Sequence, residues 1–404
     1  MTDANLFTRP DERRDVLIQT RNRKMSRSAH AYVRGNTVKF YDWLENKKSG
    51  AYPEGPPIWI CGDCHLGNLG PVANSSGQIE IQIRDLDQTV IGNPAHDLIR
   101  LGLSLASAAR GSDLPGVTTA KMLEQMMEGY EKSFEPDFHE EIDVPLPTSI
   151  HLVSKQAAAA SWKTLAEERI KGIRPSIPLG NRFWPISSAE AREIGELFQD
   201  DNIQKLVTML RSRKDDANIK FLDAAYWMKG CSSLGRLRYA VLLRVGGKKG
   251  KKTDYCFMDL KEAVQAAAPR AEGVKMPSNH AERVVEGARH LSPYLGKRMR
   301  AVRLLDKAIF VRELLPQDLK IEIERLTRDE AMKVAHFLAA VVGKAHSRQM
   351  DSDTRKTWQK DLQQNRSATL DAPTWLWTSI VDLLAEHERA YLEHCRKYAM
   401  ETGQ

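Results

Sequence analysis

Two short segments in the first quarter of the chain hold the residue types best suited to catalysis. They are Cys61-Gly62-Asp63-Cys64-His65-Leu66-Gly67-Asn68 and Asp85-Leu86-Asp87. Asp63 precedes Asn68 by five positions, the spacing at which phosphoryl-transfer loops place a catalytic base and a Mg²⁺ ligand, and a later aspartate supplies a second metal ligand. The segments therefore predict a base at Asp63 and a magnesium site at Asn68 with Asp85 or Asp87, facing the phosphates of ATP.

The first segment permits other interpretations. Cys61-x-x-Cys64-His65 matches the attachment pattern of c-type haem, which requires export to an oxidising compartment. The N-terminal residues lack the basic and apolar regions of a signal peptide, which argues against haem. The other three cysteines are isolated in the sequence, so a thiolate metal site is not expected. The plainest alternative is a buried strand end at 57–60 that runs into a polar turn without a catalytic role.

Length and composition favour a globular protein of two lobes or domains. The chain has 404 residues, 42% hydrophobic and 28% charged, so it can bury a large core. No run of about 18 apolar residues predicts a membrane span. Five cysteines, an odd and low number, favour a reducing cytoplasm. The net charge of +7 suits phosphorylated or polyanionic partners.

Hydrophobic periodicity predicts helices around one strand-rich segment. Strands are predicted at 57–61, 79–84, 238–244, 254–260 and 308–314, and helices over 1–50, 97–111, most of 115–215, 278–304 and from 327 onwards. Thr327 and Glu330 form a capping-box candidate at the start of the last region. Behind them a stripe with helical spacing predicts a core face: Ala331, Val334, Ala335, Leu338, Val341, Val342 and Ala345.

A second group of residues lies in the strand-rich segment. A glycine-rich turn with Gly230, Ser232, Ser233 and Gly235 precedes a strand, Lys261 follows on the next strand, and Glu286 lies in the helix after it. Such a turn lets backbone N–H groups approach phosphates, the lysine contacts them, and the glutamate orients the lysine. Each part is common alone. Their joint order predicts the nucleotide-binding small lobe of a kinase.

The two groups occur in an unusual order, because the catalytic-loop elements precede the small-lobe elements. A circular permutation accounts for this order, since domain termini often lie close together. The predicted fold is α+β, a protein-kinase-like bilobal fold that is circularly permuted. Residues 1–219 form the catalytic-loop and helical part, 220–320 the strand-rich nucleotide-binding lobe, and 321–404 a helical part that completes the large lobe.

Over most of its length the chain resembles the DUF2252 family of uncharacterised bacterial proteins. The resemblance rests on Tyr32-x-Arg34-Gly35, Gly62-Asp63-x-His65-x-x-Asn68, Asp85-Leu86-Asp87, and the segments 230–235, 260–263, 283–287 and 343–348. Tyr32 and Arg34 are candidates for contacts near the site, and the alternative is a packed tyrosine and a structural ion pair.

A more distant resemblance supplies a mechanism. Residues 62–68, Asp85 and 92–98 are similar to the core of aminoglycoside phosphotransferases and choline kinases. The resemblance implies that Asp63 is the base, that Asn68 and Asp85 bind Mg²⁺, and that Asp97 braces the loop. It also implies that His65 has a structural part in the catalytic loop, where it packs and forms hydrogen bonds. The chain departs from that pattern at Cys61, where histidine is usual, at Asn93, where aspartate is common, and at Arg84, where an apolar residue is usual.

Three functions compete. The first is an ATP- and Mg²⁺-dependent phosphotransferase, cytoplasmic, acting on a hydroxyl group of a small molecule. The second keeps the kinase fold but transfers a nucleotidyl group, or binds nucleotide without catalysis. The third is a polyanion-binding protein that uses Arg236 and Arg238 with a lysine cluster at Lys248, Lys249, Lys251 and Lys252. The third hypothesis does not explain the clustered carboxylates, so a nucleic acid is not expected as a partner. A membrane is not expected either, because the sequence has no long apolar run.

Overall fold

A computed structural model gives the structure of the chain and describes residues 13–135, 146–159, 176–210, 212–231, 234–246, 254–315, 327–364 and 371–398. The described ranges form a mixed α+β structure. It contains a six-stranded antiparallel sheet, two small antiparallel pairs of strands, and helices that pack on them.

Helices occupy both ends of the chain and flank the strands. Their bounds are Arg13–Met25, Ala29–Gly35, Thr37–Glu45, Pro94–Gly111, Gly116–Lys132, Thr148–Ala159, Ser188–Leu197, Asp201–Thr208, His280–Leu291, Pro293–Lys297, Arg328–Ser347, Ser352–Gln363 and Thr374–Tyr398. Among the described helices, none combines the length and the apolar character that a bilayer crossing requires.

The strands are β1 (Ile58–Ile60), β2 (Leu69–Ala73), β3 (Ile79–Ile83), β4 (Val90–Gly92), β5 (Phe183–Trp184), β6 (Ile219–Trp227), β7 (Arg238–Val245), β8 (Asp254–Glu262), β9 (Met299–Leu304) and β10 (Lys307–Glu313). β1 pairs with β4, and β2 pairs with β3. The large sheet has the order β5-β6-β7-β8-β10-β9, so β10 inserts between β8 and β9.

The structure corrects the prediction of one continuous helix over 278–304. Helix covers His280–Leu291 and Pro293–Lys297, and the chain then enters β9. β9 forms a hairpin with β10 through the two residues Leu305 and Asp306, both at positive φ, the geometry of a tight hairpin turn. Pairing with β10 therefore determines the conformation of this segment, and its own periodicity does not.

Two helix starts also differ from the sequence predictions. The helix predicted from Asp97 begins at Pro94, because the side chain of Asn93 accepts a hydrogen bond from the Ala95 N–H and caps it. Thr327 caps the helix Arg328–Ser347, but the carboxylate of Glu330 accepts from the Ser149 N–H, so only half of the capping box forms.

The largest hydrophobic core joins the two ends of the chain. The predicted stripe on the helix Arg328–Ser347 is fully buried in this core, as expected. The helix packs on Gly116–Lys132, and just beyond its end the Gln349 side chain bonds both the N–H (2.9 Å) and the carbonyl (3.0 Å) of Trp59 in β1. A C-terminal helix thus supports the strand that leads into the acidic loop. A second core lies under the large sheet.

Candidate active site

The acidic loop runs from β1 through a 3₁₀ turn at Leu66–Asn68 into β2. Gly62 adopts φ +72°, and a Cβ atom at this position would lie 2.2 Å from the carbonyl oxygen of Gln88. The Gly62 carbonyl accepts a hydrogen bond from the Tyr41 hydroxyl at 2.6 Å. The loop is therefore held against the segment that leads into β4, and this turn requires glycine.

The carboxylate of Asp97 fixes the start of the acidic loop. It lies in the first turn of the helix Pro94–Gly111, is fully buried, and accepts hydrogen bonds from the N–H groups of Cys61 (2.7 Å) and Gly62 (2.9 Å). His346 Nε2 lies 3.1 Å from the same carboxylate, and its Nδ1 contacts the Tyr130 hydroxyl at 2.8 Å. The predicted bracing role of Asp97 is confirmed, and a buried histidine from the C-terminal part extends it.

Asp63 is buried beside an arginine that sequence analysis did not identify. Its Oδ1 accepts a hydrogen bond from Arg100 Nε at 2.9 Å, and the Asn68 side chain donates to its backbone carbonyl at 2.9 Å. Burial raises the pKa of the Asp63 carboxyl, and the charge and hydrogen bond of Arg100 oppose that rise. Asp63 and Asn68 are thereby locked together on one short loop, as their spacing predicts.

His65 is a neutral member of the loop. Its Nδ1 accepts a hydrogen bond from the Gly67 N–H at 3.1 Å, and its Nε2 lies 3.9 Å from Asp63 Oδ2. Burial holds the pKa of His65 well below its usual range, and the charges of Arg34 and Arg100 lower it further. An uncharged imidazole orders the loop and lies beside Oδ2 of Asp63.

Lys261 connects the large sheet to the second acidic segment. Its Nζ contacts Asp87 Oδ2 closely and lies 3.3 Å from Asp85 Oδ1. The lysine side chain is 3% exposed and that of Asp87 12%, whereas that of Asp85 is 42% exposed. The lysine and Asp87 form a buried pair, and Asp85 presents a carboxylate to the open space beside them.

The pKa values of the Asp85 and Asp87 carboxyls shift in opposite directions. Burial raises the pKa of Asp85, but the charges of Lys261, Arg312 and Arg238 outweigh burial and hold it below the usual range. Burial, and then the charge of Asp85, raise the pKa of Asp87. Asp87 Oδ1 is buried and finds no hydrogen-bond partner among the residues that the structure describes. Asp85 is therefore the ionised, accessible member, which favours it over Asp87 as a metal ligand.

Strand register brings two arginines to Asp259 beside this pair. Arg238 in β7 lies opposite Lys261, and Arg312 in β10 lies opposite Asp259. Directly paired residues share a sheet face. The fully buried Asp259 accepts from Arg238 Nε (2.9 Å) and Nη2 (2.7 Å) and from Arg312 Nη2 (3.1 Å). A buried carboxylate thus holds two guanidinium groups in fixed positions.

These groups surround a cavity of about 460 Å³, a size typical of small-molecule sites. Asp63, His65, Asn68 and Asp85 line it together with seven cationic side chains. The sheet and its neighbouring loops contribute Arg84, Lys229, Arg238 and Arg312, and the first two helices and their connection contribute Lys24, Arg27 and Arg34. The cavity is strongly basic, with a few carboxylates on one wall.

The glycine-rich turn forms another part of the wall. Gly230 lines the cavity, and Gly230 and Gly235 adopt φ of +87° and +96°. Lys24 Nζ donates to the Gly230 carbonyl at 3.1 Å, which ties the first helix to the turn. Ser232 and Ser233 lie outside the described residues. The turn connects β6 to β7, the position that the sequence predicts relative to Lys261.

Glu286 does not take the predicted position beside Lys261. Its carboxylate pairs with Arg289 (2.9 Å) and His290 (3.4 Å) on its own helix. Arg283 of the same helix reaches the acidic segment instead, where its Nη2 donates to the Asp87 carbonyl at 2.9 Å. The expectation that Glu286 orients Lys261 is corrected: Asp85 and Asp87 do so.

Tyr32 and Arg34, both predicted as possible contacts near the site, have different positions in the structure. Tyr32 is buried and its ring packs against His394 and Tyr391, so it is a packing residue, whereas Arg34 lines the cavity. Cys61 and Cys64 are both free thiols and both buried.

The interpretation as a polyanion-binding surface gains little from the structure. The lysines of the cluster at 248–252 lie outside the described residues. Arg238 is buried against Asp259 and therefore does not belong to an exposed basic face.

A metal would have few protein ligands. Within the described ranges, no group of three or more His, Cys, Asp or Glu side chains could hold an ion. Asn68 and Asp85 line one cavity, and Mg²⁺ characteristically takes one or two protein ligands and completes its shell with phosphate oxygens and water. The residues present fit such a metal and not a cage made only of protein.

Lys24 and Arg34 of the cationic wall were predicted as possible site residues, but other parts of it were missed. Arg27 and Lys229 carry no local motif, and Arg100, which pairs with Asp63, lies 37 residues from it on a helix. Asp259 and Arg312 meet only through strand register. The signal in the sequence that could have identified them is the presence of two arginines and one aspartate on neighbouring strands, on one face of the sheet. This signal can be recognised only when the strand register is known.

Comparison with curated proteins and with solved structures found no match. A family model described as an uncharacterized protein conserved in bacteria, DUF2252, matches residues 13–397. The match covers nearly all of the chain and both halves of the cavity, so the chain belongs to the DUF2252 family.

Proposed function

We propose that this chain is an ATP- and Mg²⁺-dependent phosphotransferase that acts on a hydroxyl group of a small molecule. The observation that carries the proposal is one cavity lined by Asp63, Asn68, Asp85 and Gly230. These are the base, the two metal ligands and the phosphate-covering turn of a phosphoryl-transfer site. Five free cysteines are in keeping with a reducing, cytoplasmic setting.

The order of the parts supports a permuted kinase-like fold. The glycine-rich turn joins β6 and β7, Lys261 lies on β8, and a helix follows at His280–Leu291, the order of a kinase small lobe. The helix Arg328–Ser347 comes later in the chain but supports Asp97 under the acidic loop through His346. The acidic loop therefore functions as part of a unit to which both ends of the chain contribute.

Asp63 is placed to act as the base. Asp63 lines the cavity, Arg100 holds its Oδ1, and His65 Nε2 lies 3.9 Å from its Oδ2. A hydroxyl that donates to Oδ2 would lose its proton to Asp63 as it attacks. Burial raises the pKa of this carboxyl, which makes it a better proton acceptor.

Asn68 and Asp85 would hold the magnesium ion, which when bound supplies charge neutralisation and alignment of the phosphates. Asp85 is ionised and 42% exposed, as a ligand must be. Lys261 balances the charge of both aspartates in the unliganded protein. Arg238 and Arg312, fixed by Asp259, would bind phosphate oxygens with little further ordering.

The test is transfer of phosphate from ATP to a panel of hydroxyl-bearing small molecules by wild type and Asp63→Asn. The variant should lose about 10²–10⁴-fold in rate, the usual contribution of general base catalysis. Its affinity for Mg·ATP should stay within about threefold of wild type, because Asp63 contacts the acceptor. Asp113→Asn, an exposed change distant in the fold, is the matched control.

Mass spectrometry of the product separates the alternatives. A phosphate adduct with release of ADP supports phosphotransfer, whereas an AMP adduct with release of pyrophosphate would identify nucleotidyl transfer by the same site. Nucleotide binding without turnover of any acceptor would indicate a non-catalytic binder and would contradict the proposal.

A further inference from the structure

The cavity carries more positive charge than one metal-bound nucleotide accounts for. Seven lysine and arginine side chains and two carboxylates line it, and burial holds the pKa of Lys229 well below its usual range. The cations contributed by the sheet and its neighbouring loops lie beside Asp85 and Asp259 and suffice for the nucleotide phosphates, part of whose charge Mg²⁺ neutralises. Lys24, Arg27 and Arg34 come from a separate part of the chain, and we call them the N-terminal cation group.

The N-terminal cation group spans the space between the glycine-rich turn and the acidic loop. Lys24 Nζ bonds the Gly230 carbonyl at 3.1 Å. The guanidinium of Arg34 lies directly on the loop, since a Cβ atom at Gly67 would come within 2.5 Å of Arg34 Nη2. The group therefore faces the side of the cavity where Asp63 would receive the acceptor.

Two members of the group, Lys24 and Arg27, lie near each other. Neither Lys24 nor Arg27 forms an ion pair with any residue in the described part of the chain. Burial lowers the pKa of Lys24, and the nearby charge of Arg27 lowers it further. Arg34 contributes to the lowered pKa of His65. Clustered cations in a partly enclosed cavity focus a positive field that a bound anion would relieve.

We propose that the acceptor is itself a phosphorylated small molecule whose phosphate binds the N-terminal cation group. This inference rests on the proposed function. A free hydroxyl of the acceptor would attack the γ-phosphorus of ATP and form a new P–O bond. The bond from that phosphorus to the β,γ-bridging oxygen would break, ADP would leave with the electron pair, and the hydroxyl proton would pass to Asp63. The product would carry two phosphate groups.

The experiment titrates inorganic phosphate into protein saturated with Mg²⁺ and β,γ-imido-ATP, which fills the γ-phosphate position. Wild type should bind phosphate under these conditions. Arg27→Ala and Arg34→Ala should each weaken phosphate binding about tenfold, which is about 1.4 kcal/mol. Both variants should bind the imido nucleotide within about threefold of wild type. Arg27 is exposed, so its variant tests the idea without risk to the fold. Arg23→Ala, exposed on the first helix outside the cavity, is the control.

The outcomes are distinguishable. No phosphate binding to the wild-type nucleotide complex overturns the inference and leaves the phosphotransferase proposal intact. Equal losses of phosphate and nucleotide affinity also overturn it, because the cations would then belong to the nucleotide site. If wild type binds no nucleotide, the proposed function fails. Phosphate titration of the free protein then decides the anion site alone: binding weakened in both variants supports it, and unchanged or absent binding overturns it.

Discussion

Lys261→Met should destabilise the unliganded protein by about 3 kcal/mol at neutral pH. The change keeps the length of the side chain and removes its charge from a position 3% exposed. Removal of one partner from a buried ion pair costs about 3–5 kcal/mol, because the other charge stays buried. The low end applies here, since Asp85 is 42% exposed and keeps Arg312 and Arg238 nearby, so most of the loss comes from Asp87.

The pH dependence of this loss tests its origin. Burial and the charge of Asp85 already raise the pKa of Asp87, and removal of Lys261 raises it further. A carboxyl whose pKa is higher in the folded than in the unfolded protein destabilises the fold above that pKa, and the penalty disappears as the pH falls through it. The difference between wild type and variant should therefore be smaller at pH 5 than at pH 8.

Urea unfolding followed by tryptophan fluorescence at both pH values measures this difference. Lys307→Met, an exposed change in neighbouring β10, should alter stability by less than about 0.5 kcal/mol. Added Mg²⁺ should restore part of the stability of Lys261→Met, because the two freed carboxylates can accept the ion. A variant as stable as wild type, or a loss that grows toward pH 5, would refute the buried Lys261–Asp87 pair.

Three further predictions concern the support of the loop and the buried histidines. Asp97→Asn should lower the free energy of unfolding by about 2–4 kcal/mol, because a charged acceptor of two backbone N–H bonds is lost. Urea unfolding measures this loss, and an unchanged midpoint would contradict the bracing role of Asp97. Gly62→Ala should destabilise the protein by more than about 2 kcal/mol in the same assay, since the position combines positive φ with a backbone clash. Gly111→Ala, at an open helical position, is the control and should be neutral or stabilising. His96 and His387 are buried, and burial lowers the pKa of each to about 4. The unfolded chain therefore binds more protons than the folded protein between pH 4 and 6.5, and the free energy of unfolding should fall by about 2 kcal/mol per histidine from pH 7 to pH 5. A calorimetric melting temperature that does not change over this range would show that the two histidines are not buried in the neutral form.

Local patterns predicted the acidic loop, and the resemblance to aminoglycoside phosphotransferases and choline kinases predicted its support by Asp97. Strands on either side of the loop, the pairing of Asp63 with Asn68, and the bracing by Asp97 all lie within one stretch of about 40 residues, where spacing along the chain determines proximity. The placement of Lys261 on β8 was also predictable, because the apolar run from Tyr255 to Met258 marks the strand, which is buried continuously over 256–261.

Long-range packing determined what the sequence could not show. Glu286 is one turn of helix from Arg283, and only the docking of that helix decides which of them reaches the acidic segment. The strand at Met299–Leu304 exists because β10 pairs with it, although its own sequence suits a helix. The N-terminal cation group reaches the cavity because the first helix lies against the glycine-rich turn. The two contacting residues are 206 positions apart in the sequence, and neither segment carries a pattern that predicts the contact.

Calorimetric titration of ATP, with and without Mg²⁺, into wild type and Asp85→Ala examines the metal–nucleotide site without any need for an acceptor. We expect Mg²⁺-dependent binding to wild type and at least about a tenfold loss of affinity in the variant, whereas Asp42→Ala, an exposed helical change, should bind as wild type does. Absence of ATP binding to wild type, or equal binding to wild type and Asp85→Ala, would contradict the assignment of this cavity as a metal–nucleotide site.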